Sequence, residues 1–381
     1  VPISGSDPRY GRWEHVAFVP DPLPSATPEL SVITFNEVAE ARAALASLNS
    51  TARQLPNPSL LRRPTLRREA QSTSALEGTY APLQAVLAAD EEHDPADANM
   101  REVLNYVRTA EHAFAWHADG RPLSMNLLTE LHGILVRGTS ADTDQAGRVR
   151  SIQVAIGGHA GGRVQDSRFV PRPPGPELEA QIRDWLGWVE GSPGRDIDPV
   201  IAAGMAHYHF EALHPFNDGN GRIGRLLIVL HLMVTAVITE PTLTVSPWFE
   251  ARRADYYDAL MAVSTTRDWD RWIRFFARGL AASAQDTEQR LLDLLAAQGS
   301  LKATIRRAGL RANTASNLVD FALAQPIFTV RQVERHLEVT YARANQLVAQ
   351  LVELGVLHRF DDSTYGREFT APEILAILLR G

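Results

Sequence analysis

The 381-residue chain contains no cysteine. That excludes disulfides and thiolate chemistry and fits a reducing, cytoplasmic compartment. Long hydrophobic runs are missing too. The longest, residues 226–238, is interrupted by His231 and Thr235. It falls short of the roughly 20 residues a membrane span needs and reads as a buried helix. Positive charge is not in excess: 38 Lys and Arg face 45 Asp and Glu, a net −7, so the chain as a whole is no polyanion binder. No signal peptide, internal repeat or low-complexity tract is visible, although Val1 in place of Met leaves targeting open. What remains is ordinary globular material, 45% hydrophobic and 22% charged, enough for two or three domains of about 100–200 residues.

The pattern predicts a mainly α protein. Residues 1–30 carry Trp13, Pro20, Pro22 and Pro24 and read as an extended arm packed on a globular body. Val38, Ala41, Leu45 and Leu48 give helical periodicity over 35–53. A loop with Pro56, Pro58 and Pro64 follows, then a helix at 65–77 that Gly78 stops. Further helices are predicted at 99–118, 123–136, 176–190, 197–213, 222–236, 247–263 and 268–296. Within 148–172 the period changes to two: Ile152, Val154 and Ile156 alternate, Gly157 and Gly158 break the run, and Phe169, Val170 and Pro171 resume it, a β-hairpin signal. The last 85 residues predict helices at 312–324, 330–337 and 340–354, with Gly355 closing the third. Two short strands are then expected within 356–370, around Asp361, Asp362 and Ser363. Helix–turn–helix followed by a hairpin is the winged-helix order. The expected division is an N-terminal arm and helical region at 1–95, a central domain at 96–296 and a winged-helix domain at 297–381.

Residues 214–225 read His-Pro-Phe-Asn-Asp-Gly-Asn-Gly-Arg-Ile-Gly-Arg. His214 is the one side chain there that accepts a proton near neutral pH, as a hydroxyl attacking phosphorus requires. Asp218 is a hard oxygen ligand able to hold Mg²⁺ against nucleotide phosphates. Gly219 and Gly221 let backbone approach a phosphate, and N–H groups around Asn220 and the following helix start bind anions. Arg222 and Arg225, three apart, are neighbours on the surface of that helix, where guanidinium groups fork onto phosphate oxygens. On composition alone, a structural loop with a surface arginine pair explains the stretch equally well. His207 and His209 lie two apart and point to different sides of a helix, unlike a zinc-binding pair, so packing or capping is the expected role. Phe216 is expected to anchor the loop in the core.

The twelve residues resemble, at nine fixed positions, the core motif of Fic-domain proteins, and His207, Tyr208, Phe210 and Glu211 are similar to its usual lead-in. The resemblance implies a Fic-type helical bundle with a β-hairpin flap. It also implies transfer of AMP from ATP to a Ser, Thr or Tyr hydroxyl of a target protein, or of the chain itself, with release of pyrophosphate. His214 is then the base, Asp218 the Mg²⁺ ligand, and Asn217, Gly219, Asn220, Gly221, Arg222, Ile223, Gly224 and Arg225 the nucleotide cradle. The related Doc-like kinases carry Ala and Lys inside this loop, whereas both glycines and Arg222 stand here. Tyr256, Tyr257 and residues 269–276 resemble the region that closes the adenine pocket. Tyr257 is the expected base contact, with plain helix–helix packing the alternative. The flap implied at 150–171, through Arg150, Val154, Ile156 and Gly157, offers a strand edge to an extended target segment.

Thr73-Ser74-Ala75-Leu76-Glu77-Gly78 resembles the Fic inhibitory motif, which implies an N-terminal inhibitory helix built on Thr73, Glu77 and Gly78. A Glu77 carboxylate on Arg225 would occupy the guanidinium meant for the γ-phosphate, repel ATP and misplace its α-phosphate; an ordinary helix-end acid is the alternative. In some family members this glutamate positions water for AMP removal, so de-AMPylation is a second reading of the same site. In 297–381, Arg306, Arg307, Arg311, Arg331, Arg335 and Arg343 are offset by Glu334, Glu338, Glu353, Asp361 and Asp362. Tyr341, Arg343, Asn345 and Gln346 are the polar candidates of a recognition helix. DNA binding is accordingly less expected than protein contact or homodimerisation. The rival class is a DNA-binding regulator that uses the Fic fold as a nucleotide sensor.

Overall fold

The computed structural model describes residues 1–380 except 8, 10, 55–56, 58, 91–93, 158–162, 192–195, 311–312 and 361–366. The expectations for Pro56, Pro58, Gly158, Arg311, Asp361, Asp362 and Ser363 lie outside the described residues. In chain order the helices are α1 (Val32–Gln54), α2 (Ser59–Leu76), α3 (Leu83–Ala88), α4 (Ala98–Ala118), α5 (Met125–Leu135), α6 (Pro176–Glu190), α7 (Pro199–Leu213) and α8 (Asn220–Val234). They continue as α9 (Ser246–Glu250), α10 (Arg253–Thr266), α11 (Trp269–Arg307), α12 (Asn313–Ala324), α13 (Val330–Leu337), α14 (Tyr341–Glu353) and α15 (Pro372–Leu379). The strands are β1 (Pro2–Asp7), β2 (Gly11–Val16), β3 (Ile327–Thr329), β4 (His358–Arg359) and β5 (Glu368–Thr370). The fold is mainly helical, with small β-hairpins.

At its centre α7 packs on α8. Both are buried on nearly every side, the mark of a helix enclosed by others rather than one with a solvent face. The segment 226–238 thus becomes most of α8. Asp198 caps α7 by accepting from Val200 N–H at 2.9 Å, with Pro199 at the first helical position. α1 buries Val38, Ala41, Leu45 and Leu48 and lies along α11. α11 runs past the predicted end at 296, because Ala297, Leu301 and Ile305 continue its buried stripe; the one helix spans both sides of residue 296.

Several elements differ from the pattern reading. Pro64 lies inside α2 rather than in a loop; the Thr65 hydroxyl donates to Leu61 O at 2.9 Å and Arg62 O at 2.8 Å beside it. The stretch 247–263 is divided between α9 and α10. Residues 1–30 are not extended throughout: β1 and β2 form an antiparallel hairpin, with Pro2 opposite Val16. The segment that follows docks on the body through Phe18 N–H to Val170 O at 2.8 Å, Gln181 Nε2 to Pro20 O at 3.2 Å and Trp188 Nε1 to Pro24 O at 2.9 Å.

Among the described residues, the hairpin expected at 150–171 shows one antiparallel bridge, Ile156 with Phe169. Side chains take the place of a ladder. Arg150 donates to Ile152 O and Arg172 O, and Gln153 Nε2 reaches Val154 O and Pro171 O at 3.0 and 2.8 Å. Pro171, Pro173 and Pro174 have no N–H to offer a ladder.

The C-terminal residues form a three-stranded antiparallel sheet in the order β3-β5-β4 beside α13 and α14. A full capping box between Thr329 and Gln332 starts α13. The unpredicted α15 packs on α11. α2 ties these parts together. Arg67 donates to Leu87 O and Ala89 O, each at 2.7 Å, and to Gln325 Oε1 at 3.2 Å. Arg68 donates to Leu378 O at 3.1 Å, and Glu69 accepts from Ser246 N–H at 3.0 Å and its hydroxyl at 2.5 Å. Burial first, partly offset by the Ser246 hydrogen bonds, raises the Glu69 pKa.

Candidate active site

α7 ends at His214, which takes the left-handed conformation with φ 50°. A non-glycine residue pays about 1–2 kcal/mol for that backbone, and the surroundings hold it there. Arg150 Nε donates to His214 O at 2.8 Å, and Arg150 N–H donates to Pro215 O at 2.9 Å. The imidazole is half-buried, with Nδ1 3.4 Å from Glu211 O. That carbonyl assigns the ring proton to Nδ1 and leaves the Nε2 lone pair free to accept. Burial, followed by the neighbouring Arg150 charge, pushes the His214 pKa down to about 4, so the ring is neutral at pH 7.

The loop after His214 is braced from inside. Phe216 is fully buried and stacks on His132, ring centroids 4.2 Å apart. The Asn220 side chain accepts from Phe216 N–H and donates to Phe216 O, both at 2.8 Å. Its side chain therefore closes the loop. Gly219 has φ +77°, and a Cβ there would meet the Leu135 side chain. No side chain caps the start of α8, so the first-turn N–H groups are open to an anion. Asp218 is half-exposed; its Oδ1 accepts from Gly219 N–H at 2.5 Å and from Arg222 Nη2 at 3.1 Å. One exposed carboxylate beside an anion cradle fits Mg²⁺, which takes few protein ligands and completes its shell with phosphate and water.

The two arginines are not surface neighbours: Arg222 and Arg225 are 3% and 1% exposed. α4 and α2 cover them. Arg222 Nη1 donates to Glu102 Oε2 at 3.1 Å, an oxygen that also accepts from the Thr79 hydroxyl at 2.7 Å. Arg225 Nε donates to Thr73 Oγ1 at 2.7 Å, and its Nη2 donates to Thr73 O at 3.0 Å and Glu77 Oε1 at 2.6 Å. Burial works against the Arg225 charge, but Glu77, Tyr256, Tyr257 and Glu211 outweigh it and raise its pKa. Glu77 Oε1 sits so close over Gly221 that any Cβ there would collide with it. The carboxylate thus occupies the cradle itself. Gly78, φ +93°, turns the chain away just after α2.

One cavity brings together Glu77, Glu211, His214, Gly221, Arg225 and Tyr257. Ile156 and Phe169 of the flap line it as well, and Arg168 beside them pairs with Asp258 on α10. Tyr256 and Tyr257 both line the cavity. Tyr256 is core, its hydroxyl donating to His207 Nε2 at 2.7 Å, while Tyr257 is half-buried along the cavity. His207 Nδ1 donates in turn to Gly224 O at 3.0 Å, and burial pushes the His207 pKa down to about 3. His209 is buried too, its pKa about 4 for the same reason. Ile223 packs into the core, Asn217 is half-buried beside the loop, and Val154 lies outside the cavity lining. Pattern reading missed Glu102, Arg168 and Asp258. Each is an unremarkable charge on its own helix or loop, and only the fold brings it to the site.

The sequence model described as "Fic/DOC family N-terminal" matches residues 35–115, and that described as "Fic/DOC family" matches 122–232. The chain is 33% identical over 163 residues to "Protein adenylyltransferase fic-1" of Caenorhabditis elegans, covering 43% of this chain and 28% of the relative. It is 33% identical over 154 residues to "Protein adenylyltransferase Fic" of Culex quinquefasciatus, covering 40% and 25%. The chain thus spans about a quarter of the length of these curated relatives. Among solved structures, a Fic family protein from Desulfovibrio desulfuricans G20 aligns with TM-score 0.57 at 22% identity, covering 91% of this chain and 98% of that one. A Fic-1 fragment from C. elegans aligns with TM-score 0.52 at 22% identity, covering 67% and 72%.

Proposed function

The chain belongs to the Fic/DOC family, and from that premise we infer that it is a protein adenylyltransferase held inactive by Glu77. The observation that supports this most is the convergence of a neutral His214, the α8 cradle, Arg225 and Glu77 on one cavity. With Glu77 withdrawn, Arg225 is free to take the γ-phosphate of ATP, and the first turn of α8 from Gly219 to Gly224 holds the remaining phosphates. Tyr257 lies against the adenine. His214 Nε2 accepts the proton of a target Ser, Thr or Tyr hydroxyl as its oxygen bonds to the α-phosphorus. The bond from that phosphorus to the bridging oxygen breaks, and pyrophosphate leaves. Mg²⁺ on Asp218, when bound, neutralises charge on the phosphates. Arg222, held by Glu102 and Asp218, fixes the carboxylate that carries the ion. The flap residues Val154, Ile156 and Gly157 offer backbone to the target segment.

Thr73, Glu77 and Gly78 form the brake: Thr73 holds Arg225 from behind while Glu77 fills the cradle. The same carboxylate, directed into the cavity, supports AMP removal as the second reading. For the C-terminal residues we propose a winged-helix module that contacts protein. Arg331 pairs with Glu334, and Arg335 with Asp90, so two of the arginines that supply this region's positive charge already face acidic partners.

The test incubates wild type, Glu77→Gly and the Glu77→Gly/His214→Ala double variant with ATP and Mg²⁺ and weighs the intact proteins. AMP added to Glu77→Gly alone supports both base and brake. Added phosphate turns the reading to a kinase. If nothing is added to any variant, self-modification is rejected, and an AMP-modified substrate protein then separates AMP removal from sensing.

A further inference from the structure

Glu211 is the last acidic residue of α7, and its carboxyl lies where a second negative charge is least expected. It lines the same cavity as Glu77 and Arg225. Its Oε1 presses so closely on Gly224 that a Cβ there would collide with it. That oxygen is buried, and among the described residues no group hydrogen-bonds to it. Arg225, the nearest cation to draw on, is committed to Thr73 and Glu77. A carboxylate left so would face two unfavourable terms at once, lost solvation and the Glu77 charge. The ionisable groups around it are Glu77 from α2, Arg225 from α8, Tyr256 and Tyr257 from α10, Tyr208 of α7, His214 at the end of α7 and Arg168 beside the flap. None of the three tyrosines is charged at neutral pH, because burial raises them all.

We propose that Glu211 binds the nucleotide as a neutral carboxylic acid, donating its proton in a hydrogen bond to a phosphate oxygen seated on the α8 cradle beside Arg225. The inference rests on the nucleotide reading above and adds a donor to it. A neutral acid is a hydrogen-bond donor where a carboxylate would repel the anion. Burial, with Glu77 adding to it and Arg225 opposing it, holds the Glu211 pKa up at about 8. Phosphate replaces the Glu77 charge when ATP is bound, so the carboxyl stays protonated in the complex. The sign follows from the protonated form being the binding form. Below its titration the carboxyl is ready to donate. Above it, binding must take up a proton, and affinity falls by up to about tenfold per pH unit. With no cysteine in the chain and His214 titrating far lower, the alkaline limb is left to this group.

The experiment measures ATP·Mg²⁺ affinity of full-length Glu77→Gly and Glu77→Gly/Glu211→Gln by calorimetry from pH 6.5 to 9.5. Buffers of different ionisation enthalpy count the protons exchanged. Glu77→Gly should lose about tenfold or more in affinity toward pH 9.5 and take up close to one proton per ATP there. Glu77→Gly/Glu211→Gln, whose amide donates at every pH, should bind with a flat profile and no uptake. Matching profiles in the two proteins, or no proton uptake by Glu77→Gly, overturn the role of Glu211 while leaving nucleotide binding intact. Absence of ATP binding at every pH overturns the nucleotide reading and this inference with it. Absence of proton uptake by Glu77→Gly overturns the proposal even if the double variant does not fold.

Discussion

The two ends of the cavity are held by opposite means. At the α8 end, Arg225 is buried, bonded to Thr73 through two atoms and to Glu77 at 2.6 Å, on helices that pack directly together. At the flap end, one backbone bridge joins Ile156 and Phe169, and the Arg168–Asp258 pair stands half in solvent, 41% and 52% exposed. Buried charge–charge contacts resist rearrangement because breaking one strands the other. Exposed pairs exchange with water at little cost. On the proposed reading, the α8 end is firm enough to be blocked or filled by a charged group, whereas the flap end can yield to a chain entering beside it.

The sharpest way to break the comparison is at the reacting group. His214→Ala, in a Glu77→Gly background, should lower AMP transfer by about 10³-fold or more, read by intact mass over time. Releasing the rigid end comes next. Glu77→Gly should raise transfer by about 10²-fold, since it restores phosphate placement. It should also lower the melting temperature, because Arg225 keeps its burial and loses a charged partner. Arg150→Met tests the post between the two ends. Three carbonyls lose a donor, and denaturant unfolding should show a loss of about 3 kcal/mol. The pH profile of transfer by Glu77→Gly should decline on the acid side only toward about pH 4, where the His214 ring protonates and ceases to be a base. A decline beginning near pH 6.5 would place the base elsewhere. The smallest effect belongs to the soft end: Arg168→Ala should change stability by no more than about 1 kcal/mol, measured by thermal melting. A larger loss would mean the flap is as firmly held as the cradle.

Much of the helical architecture was legible because burial repeats every three to four residues. α1, α4, α6 and α7 lie where apolar spacing and capping residues put them. The flap was legible only as an alternation. Whether Ile152, Val154 and Ile156 pair with a partner strand depends on what else claims their backbone: Arg150 and Gln153 take the Ile152 and Val154 carbonyls, and Ile156 bridges Phe169. Pro64 misled for a related reason. Pro64 lies past the first turn of α2, where a proline removes a helix donor at a cost, and the helix continues there with the Thr65 hydroxyl on the Leu61 and Arg62 carbonyls.

The local sequence marked the loop that turns α7 into α8: Gly219 at positive φ and Asn220, which closes the loop on Phe216, lie within twelve consecutive residues, whereas the left-handed His214 is held by the distant Arg150. The resemblance to the Fic inhibitory motif marked Thr73 and Glu77 together, at the end of α2. Only the tertiary structure decided that Glu77 meets Arg225, 148 residues away in the chain. Packing likewise buried both arginines, brought Glu102 to Arg222, buried Tyr256 while leaving Tyr257 half-buried, and left Glu211 Oε1 without a hydrogen-bond donor among the described residues. Short-range geometry is written in neighbouring residues. The charge state of a group depends on which distant groups surround it and how much water they exclude.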